Sequence, residues 1–454
     1  MTMRKNQKRL LENKIWTAAL AAALAVSMLT AFTAAGMGTD GPAPVQVVEA
    51  EGDFAAGRDG AEAFGSAEGA GMSVFSLGPG YQSLPYSDTY GDYQWALLNS
   101  GIFKLVPSTK MPLDNVFQGW LGNRSTGENR PGPARESDGT TLALAGIDIN
   151  IIPAWKKYDA KGDKRQVAVA VIDTGIDYSH QDLAGSIWIN EDEIPGDGID
   201  NDGNGYIDDV YGWNFYSNNN QVFTGSDDDH GTHSAGTIAA ARNGVGTIGI
   251  CDPAYVKVMS IKALGTPSGV GTADNVAKAI RYAQDNGAVI CNLSFGTNKY
   301  SEELYQTMKN SGMLFVVAAG NGDSSGNGYN IDSLPVYPAS FDLDNIISVA
   351  NLRFDGKIDP ASNFGVKSVD LAAPGSYILS TVTGNKYSYM SGTSMAAPMV
   401  TGAAAMLYSY DPGLSLTEIK GRILNSVHRL ESLSGKTATG GMLDVSAALN
   451  FSDN

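Results

Sequence analysis

The sequence contains little cysteine and little positive charge. Its two cysteines, Cys251 and Cys291, lie beside or within apolar, strand-like runs. They could pair in an exported protein or pack as free thiols, and neither alternative supports a redox function. The 48 acidic residues outnumber the 31 basic ones, which gives a formal net charge of −17. This acidity argues against binding to nucleic acid or to an anionic membrane, and it suits a protein that binds cations.

Long hydrophobic runs are also scarce, and the one that stands out is N-terminal. A segment with five basic residues and one acidic residue leads into an apolar run over 15–35 that ends in small residues. This layout predicts a secretory signal peptide, residues 1–35, cleaved near Ala35. The alternative is an uncleaved anchor, because the run is just long enough to span a bilayer. Removal of the five positive charges and one negative charge changes the formal net charge from −17 to −21.

The remaining chain divides by composition. Residues 36–83 are rich in Gly, Ala and acidic side chains, so they predict a flexible leader or a short propeptide. In this part of the chain, tyrosine and tryptophan appear from Tyr81 onward, and we predict one ordered domain over 84–450. A Pro- and Gly-rich surface excursion is expected at 107–141, and an acidic insertion at 190–210.

Strand-like and helix-like segments alternate within the ordered domain. The run Val167–Ile172 is continuously apolar and β-branched, as for a strand buried on both faces of a parallel sheet. Residues 273–286 and 301–310 have helical spacing, and further strands are expected at 256–264, 289–295, 314–319, 346–352 and 369–372. The pattern predicts an α/β fold with a central parallel β-sheet flanked by helices on both faces.

Three residues far apart in sequence have the chemistry of a catalytic triad. Asp173 ends the first buried strand, where open α/β sheets place their chemistry. His230 begins the segment HGTH. Ser394 lies in the small-residue segment GTSMAAP before an Ala-rich helix, with Pro398 expected in its first turn. A serine becomes a strong nucleophile when a histidine takes its proton and a buried carboxylate orients that histidine. A helix cap is the alternative role for Ser394.

Four segments together resemble the motifs of subtilisin-like serine peptidases, the subtilase family. They are 171–177 (VIDTGID), 230–236 (HGTHSAG), 318–322 (AAGNG) and 392–398 (GTSMAAP). The resemblance extends over roughly Leu84 to Leu449, and the order Asp, His, Ser is the one given for subtilisin. Four motifs in this order and spacing are highly specific, although each alone would be weak.

The resemblance implies a role for each matched residue. Ser394 is expected to be the nucleophile, His230 the general base and then acid, and Asp173 the carboxylate that orients it. Asn321 is expected to donate from its side chain to the oxyanion, alongside the backbone N–H of Ser394. His233 is expected to be structural, and His180 and His428, which have no motif around them, are predicted at the surface.

The resemblance also implies how a peptide would bind. One edge of the substrate cleft is expected at Ser294, Phe295 and Gly296, and the opposite edge at Ser268, Gly269 and Val270. The small residues Ala318, Ala319 and Gly320 are expected to line a roomy, apolar primary pocket. Backbone pairing on both sides would hold an extended polypeptide largely without regard to its sequence.

The acidic insertion has the spacing of a calcium loop. Residues 191–209 contain eight carboxylates and no Lys or Arg. Within them, positions one, three, five, seven and nine of an EF-hand-like loop, plus one further oxygen, correspond to Asp200, Asp202, Asn204, Tyr206, Asp208 and Asp209. Tyr211 stands at position twelve, where an EF-hand has a bidentate Glu. A structural Ca²⁺ is expected, and a solvated acidic loop is the alternative.

Together these features predict a secreted, calcium-stabilised serine endopeptidase that acts as a monomer on extended polypeptides. No nucleic acid partner, and no membrane association after signal cleavage, is expected. One alternative is a maturation protease dedicated to a single exported precursor. Another is an inactive, calcium-binding module that holds peptides without cutting them.

Overall fold

An eight-stranded, mostly parallel sheet lies at the centre of the molecule. The computed structural model describes residues 54–56, 70–74, 84–101, 103–107, 141–265, 269–323 and 325–451. Those residues form sixteen strands: β1 (Phe54–Ala56), β2 (Ala70–Val74), β3 (Phe103–Pro107), β4 (Thr141–Leu142), β5 (Val167–Asp173), β6 (Val256–Lys262), β7 (Val270–Gly271), β8 (Ala288–Leu293), β9 (Phe295–Gly296), β10 (Leu314–Ala318), β11 (Ile346–Leu352), β12 (Leu371–Pro374), β13 (Ile378–Val382), β14 (Lys386–Met390), β15 (His428–Arg429) and β16 (Gly441–Met442). The central sheet has the order β15-β16-β12-β11-β10-β8-β5-β6. Its only antiparallel pair among these strands is β15 with β16.

Helices pack against this sheet in two groups. The described residues form seven α-helices: α1 (Ile151–Asp159), α2 (Asp229–Ala239), α3 (Ala273–Asp285), α4 (Glu302–Asn310), α5 (Thr393–Tyr410), α6 (Leu416–Asn425) and α7 (Val445–Asn450). Helix α2 packs on α5, and α3 packs on α4, while each pair also contacts strands of the sheet. The predicted α/β architecture, with a central parallel sheet and flanking helices, is confirmed.

The core strands are buried because their sequences are apolar on both faces. Every residue of β10 and β11 is buried, and β5 is buried at all positions except Ala168. A strand covered on both faces needs such a continuous apolar run, in contrast to the alternating pattern of a half-exposed strand. The predicted strand bounds differ from the observed ones by at most two residues. One buried core therefore supports the carboxyl ends of β5 and β10, where two of the four motifs lie, and of β8, which precedes the predicted cleft edge at Ser294.

Two predictions about individual residues are settled by the packing. Cys251 and Cys291 are both buried and free, so the disulfide alternative is wrong. Burial raises the pKa of the Cys251 thiol to about 12, which keeps it protonated. His180 is also buried, contrary to the predicted surface position, because its Nε2 lies 3.0 Å from the backbone oxygen of Lys386 on β14.

The predicted signal peptide, residues 1–35, lies outside the described residues. Among the residues that are described, we find no helix with the length and apolar character needed to cross a membrane. Among the described residues, three smaller sheets accompany the central one: β2-β3-β4, the hairpin β13-β14, and β7-β1-β9, in which β1 is the middle strand. The β7-β1-β9 sheet borders the candidate active site.

Candidate active site

Asp173 is fixed at the carboxyl end of β5. Its backbone oxygen accepts hydrogen bonds from the N–H groups of Ala263 (3.0 Å) and Leu264 (3.2 Å), which follow β6. Its side-chain Oδ1 accepts from the N–H of Thr174 at 2.6 Å. The residue is fully buried. The carboxylate is therefore held in place by two strands of the central sheet.

His230 lies on the first turn of α2 and contacts that carboxylate. Its Nδ1 is 2.7 Å from Asp173 Oδ1, and its side chain is 13% exposed. The helix can approach β5 this closely because residue 231 is a glycine. A Cβ at Gly231 would lie only 2.2 Å from the backbone oxygen of Gly175. The HG pair of the motif thus supplies both the imidazole and the space it needs.

His233 lies one turn further along α2 in a different environment. It is fully buried, and its Nε2 is 2.9 Å from the backbone oxygen of Ile378 on β13. Burial lowers the pKa of His233 to about 4, so the ring is neutral near pH 7. Its contacts join α2 to the β13–β14 hairpin, whereas those of His230 lead to Asp173.

Ser394 is the second residue of α5, and it exchanges two hydrogen bonds with Ser294 after β8. The Ser394 hydroxyl donates to the Ser294 backbone oxygen, and the Ser294 hydroxyl donates to the Ser394 backbone oxygen, both at 2.9 Å. Pro398 lies in the second turn of α5, not in the first turn as predicted. Because proline has no N–H, Pro398 cannot donate to the Ser394 carbonyl, which accepts from the Ser294 hydroxyl.

Asn321 follows β10, and its side-chain amide contacts the residue that precedes Ser394. Its Oδ1 accepts from both the N–H (2.8 Å) and the hydroxyl (3.0 Å) of Thr393, the residue before Ser394. Because Oδ1 is the acceptor in both bonds, Nδ2 is the donor end of the Asn321 amide. Asn321 and Ser394 line one cavity of about 330 Å³, which is the size of a small ligand pocket.

The remaining wall of this cavity is partly as predicted. Phe295, Gly296, Ala318 and Gly320 line it, whereas Ala319 is buried and donates its N–H to Val349 on β11. The pocket is more polar than the apolar one predicted, because further lining residues include Thr297, Asn298, Asp323, Tyr329 and Asn363.

The two predicted cleft edges both have a strand partner, and it is the same strand. β1 pairs antiparallel with β7, with Ala55 opposite Val270, and antiparallel with β9, with Ala55 opposite Gly296. Gly269 precedes β7 with φ +61°, and Ser268 lies outside the described residues. A segment of the chain therefore lies in extended form between the two edges.

The acidic insertion forms a separate site. One carboxylate oxygen each from Glu193, Asp200 and Asp202 lies within 4.8 Å of the others. Calcium takes oxygen ligands at 2.3–2.6 Å, so one ion could contact all three. The donor set fits a hard cation, since it contains oxygen only.

The other predicted calcium ligands have different partners. The Asp208 carboxylate accepts from the N–H groups of Gly196 (2.7 Å) and Gly198 (3.1 Å). Asp209 is buried and accepts from the amides of Asn190 and Asn204 and from the Tyr282 hydroxyl at 2.6 Å.

Two features of the site have no signal in the motifs. Glu193 joins the acidic cluster from outside the EF-hand-like spacing, and only the charge of the whole insertion points to it. Lys262 on β6 is buried, with its Nζ 2.6 Å from Asp228 Oδ1 and in contact with the Thr174 backbone oxygen. This ion pair joins the end of β6 to the residues that neighbour Asp173 and His230.

Comparisons with known proteins agree on the family. The Peptidase_S8 model of the subtilase family matches residues 164–444. Subtilisin-like protease 1 of Plasmodium berghei (strain Anka) is 35% identical over 361 residues, which cover 76% of this chain and 59% of that protein. The thermophilic serine proteinase of Bacillus sp. (strain AK1) is 38% identical over 252 residues, or 55% of this chain and 53% of that protein.

Solved structures of similar fold include fervidolysin from Fervidobacterium pennivorans, described as a keratinolytic enzyme related to subtilisin. It matches with a TM-score of 0.51 and 28% identity over 63% of this chain and 43% of that one. A protease of Pseudoalteromonas arctica PAMC 21717 has the same TM-score and identity over 66% of this chain and 93% of that one. The chain spans about half the length of the curated relatives it matches. With its matched family model over 164–444, the chain belongs to the subtilase family.

Proposed function

We propose that this protein is a serine endopeptidase that cleaves peptide bonds by acyl transfer. The observation that carries the proposal is the 2.7 Å contact between His230 Nδ1 and Asp173 Oδ1, beside a cavity lined by Ser394 and Asn321. These four residues supply a base, the group that orients it, a nucleophile and an oxyanion donor, which is a complete set for the reaction.

The geometry supports the following steps. The Ser394 hydroxyl turns from the Ser294 backbone oxygen to His230 Nε2, which takes its proton as Oγ attacks the peptide carbonyl. Asp173 holds the imidazole in the required tautomer and stabilises the imidazolium. Asn321 Nδ2 and the N–H of Ser394 stabilise the oxyanion. His230 then protonates the leaving amine as the C–N bond breaks. Water attacks the acyl-enzyme and gives a proton to His230, which returns a proton to Ser394 Oγ as the ester bond breaks.

The substrate is a polypeptide in extended conformation. This follows from β1, which lies antiparallel between β7 and β9 as a bound peptide strand would. Because these contacts are made by backbone groups, side-chain preference would come chiefly from the cavity beside Asn321.

We assign residues 36–83 to a short propeptide in preference to a flexible leader. The supporting observation is again β1, which belongs to that range and lies between the two predicted cleft edges. Cleavage on the carboxyl side of β1 would convert the chain to an active form. The ordered peptidase domain would then extend from 84 to 450.

Calcium would be held by Glu193, Asp200 and Asp202, with Asn204 next to them. The ion would neutralise carboxylates that otherwise repel one another, and it takes no part in the chemistry. Since the insertion precedes α2, which carries His230, its order would support the site indirectly. An excess of acidic residues, the predicted signal peptide and the calcium loop together favour a secreted protein that acts as a monomer.

The alternatives differ in what they predict. A maturation protease dedicated to one precursor would leave a denatured general substrate such as casein uncut. An inactive peptide-binding module would bind extended peptides without reacting. The complete set of catalytic residues favours an active and broadly acting enzyme.

Fluorophosphonate labelling tests the proposal directly. The mature protein and Ser394→Ala would be compared, each in calcium and in EDTA. We expect labelling of the wild type in calcium, loss of labelling in Ser394→Ala, and weaker labelling in EDTA. A folded, calcium-loaded wild type that does not label would contradict the peptidase assignment.

A further inference from the structure

One side chain contacts the backbone on both sides of Asn321. The Asn363 amide donates from Nδ2 to the Ala319 backbone oxygen at 3.0 Å, and its Oδ1 accepts from the Gly322 N–H at 3.2 Å. The backbone N–H of Asn363 donates to the Gly320 backbone oxygen at 2.9 Å. Three hydrogen bonds from a single residue therefore hold the turn 319–322 that presents Asn321.

The fit between this residue and the turn is close. Asn363 is 1% exposed. Gly320 has φ +95°, and a Cβ there would lie 2.6 Å from Asn363 Nδ2. The turn thus needs a glycine both for its backbone conformation and to admit the Asn363 amide.

The same amide also contacts the pocket wall. Its Oδ1 accepts a second hydrogen bond, from the N–H of Tyr329 at 3.1 Å. Tyr329 and Asn363 both line the cavity beside Ser394. The donor and acceptor ends of the amide are chemically matched to a carbonyl and two N–H groups, so only one orientation of Asn363 satisfies all three partners.

We propose that Asn363 is a positioning residue for the oxyanion hole, and this rests on the proposed peptidase function. Thr393 orients the Asn321 side chain, and Asn363 fixes the backbone from which that side chain extends. An oxyanion donor works when it lies 2.7–3.1 Å from the developing charge, and an error of about 1 Å in position can cost about 10²-fold in rate. Asn363 acts on the transition state through Asn321, without contacting the substrate carbonyl itself.

The test is a double-mutant cycle between Asn363→Ala and Asn321→Ala. Rates would be measured on a peptide anilide and normalised to active sites by titration, so that unfolded protein is not counted. We expect Asn363→Ala to lower kcat by about 10- to 100-fold with KM changed less than about threefold. In the Asn321→Ala background, the same change should lower kcat less than about threefold, because its target is already gone.

Two further variants separate positioning from general stability. Asn363→Asp keeps the acceptors for Gly322 and Tyr329 but loses the donor to Ala319, so its kcat should lie between wild type and Asn363→Ala. Asn345→Ala is the matched control, because Asn345 donates to the backbone oxygens of Met308, Ser311 and Met313, away from the site. It should leave kcat per active site unchanged.

The outcomes distinguish this inference from the function it rests on. Equal losses from Asn363→Ala in both backgrounds, or a wild-type kcat in Asn363→Ala beside a slow Asn321→Ala, would overturn the positioning role alone. If Asn321→Ala retained the wild-type rate, or if no protein carried a titratable serine, the proposed catalytic site itself would be wrong.

Discussion

The turn 319–322 and the acidic insertion 190–210 are both loops with polar side chains, but their hydrogen-bond partners lie at different distances along the chain. In the turn 319–322, the partners come from far along the chain: Asn321 bonds to a residue 72 positions away, and Asn363 bonds to residues 41 and 44 positions away. In the insertion 190–210, Asp200 and Glu193 bond to backbone N–H groups within 4 to 15 positions.

The two loops therefore depend on different parts of the molecule for their conformation. The turn is correct only when the strands around it are in place, so the whole core fixes its geometry. The insertion can form most of its bonds locally, yet it gathers carboxylates that repel one another. We therefore expect mutations at the turn to change rate, and mutations at the insertion to change calcium-dependent stability.

The largest expected effect comes from Asp173→Asn, which removes a long-range contact of the catalytic site. The amide favours the wrong tautomer of His230, so kcat should fall about 10⁴-fold, the size seen for this change in other serine peptidases. Active-site-normalised kinetics measure it. Asp177→Asn is the control, since this buried carboxylate bonds to Ser179 and Gly384 and not to a histidine. A loss below tenfold in Asp173→Asn would contradict the proposed role of Asp173 in orienting His230.

Asn321→Ala is expected to have the next largest effect. Removal of one oxyanion donor costs about 10²–10³ in kcat in the documented case, which is itself a subtilisin, and KM should change little. Asn327→Ala, at an exposed position of the same loop, should behave as wild type. A rise in KM as large as the expected fall in kcat would instead indicate that Asn321 contributes to substrate binding in the ground state.

Asp200→Asn with Asp202→Asn should affect stability and leave the chemistry intact. A ligand at 100 times its Kd stabilises a protein by about 2.7 kcal/mol, so the wild type should lose a few degrees of Tm in EDTA. The double variant should have the lower Tm in calcium as well. Glu191→Gln with Asp192→Asn, an equal charge change at exposed positions, should retain the calcium response. A calcium-independent Tm in the wild type would refute the metal site.

The smallest expected effect concerns Asp182, which is buried and bonded to Thr247, 65 positions away. Burial raises the pKa of Asp182 from 3.8 to about 7. The folded state therefore holds a proton that the unfolded state releases, and stability is lost as pH rises from about 4 to about 7. At about 1.4 kcal/mol per pH unit, the free energy of unfolding of Asp182→Asn should rise by about 2 kcal/mol relative to that of the wild type between pH 5.5 and 7, and the difference should level off by about pH 8.

Urea unfolding in EDTA, repeated at several pH values, measures this difference without a contribution from calcium. A constant offset between the two proteins across the range would mean that Asp182 titrates normally.

The fold was predictable because its strands are long apolar runs, and the order of strands and helices follows from the sequence alone. The contact between Asp173 and His230 was predictable because each lies in a recognisable motif, Asp173 at the end of a strand and His230 at the start of a helix. Features that depend on one unforeseen distant contact were not. The burial of His180, for example, accompanies a contact with Lys386, 206 positions away.

Glu193 and Asn363 illustrate the same limit at the level of a site. Glu193 reaches the acidic cluster because the chain folds back before Asp200, which a linear spacing rule does not describe. Asn363 reaches Ala319 and Gly322 only once its own segment is paired beside Tyr329. In both cases the residue type is ordinary, and only the tertiary arrangement gives it a role.

The position of β1 between two strands has a consequence for what could be digested. Neighbouring strands lie about 4.8 Å apart, so β7 and β9 leave a slot roughly 10 Å wide that admits a single extended backbone. A helix or an intact hairpin is too wide for it. A folded protein would therefore be cut only while a segment is locally open, and its half-life would report the free energy of that opening. The width of the slot would therefore make the cleavage rate depend on how often a protein opens locally, whatever the side-chain preference of the pocket.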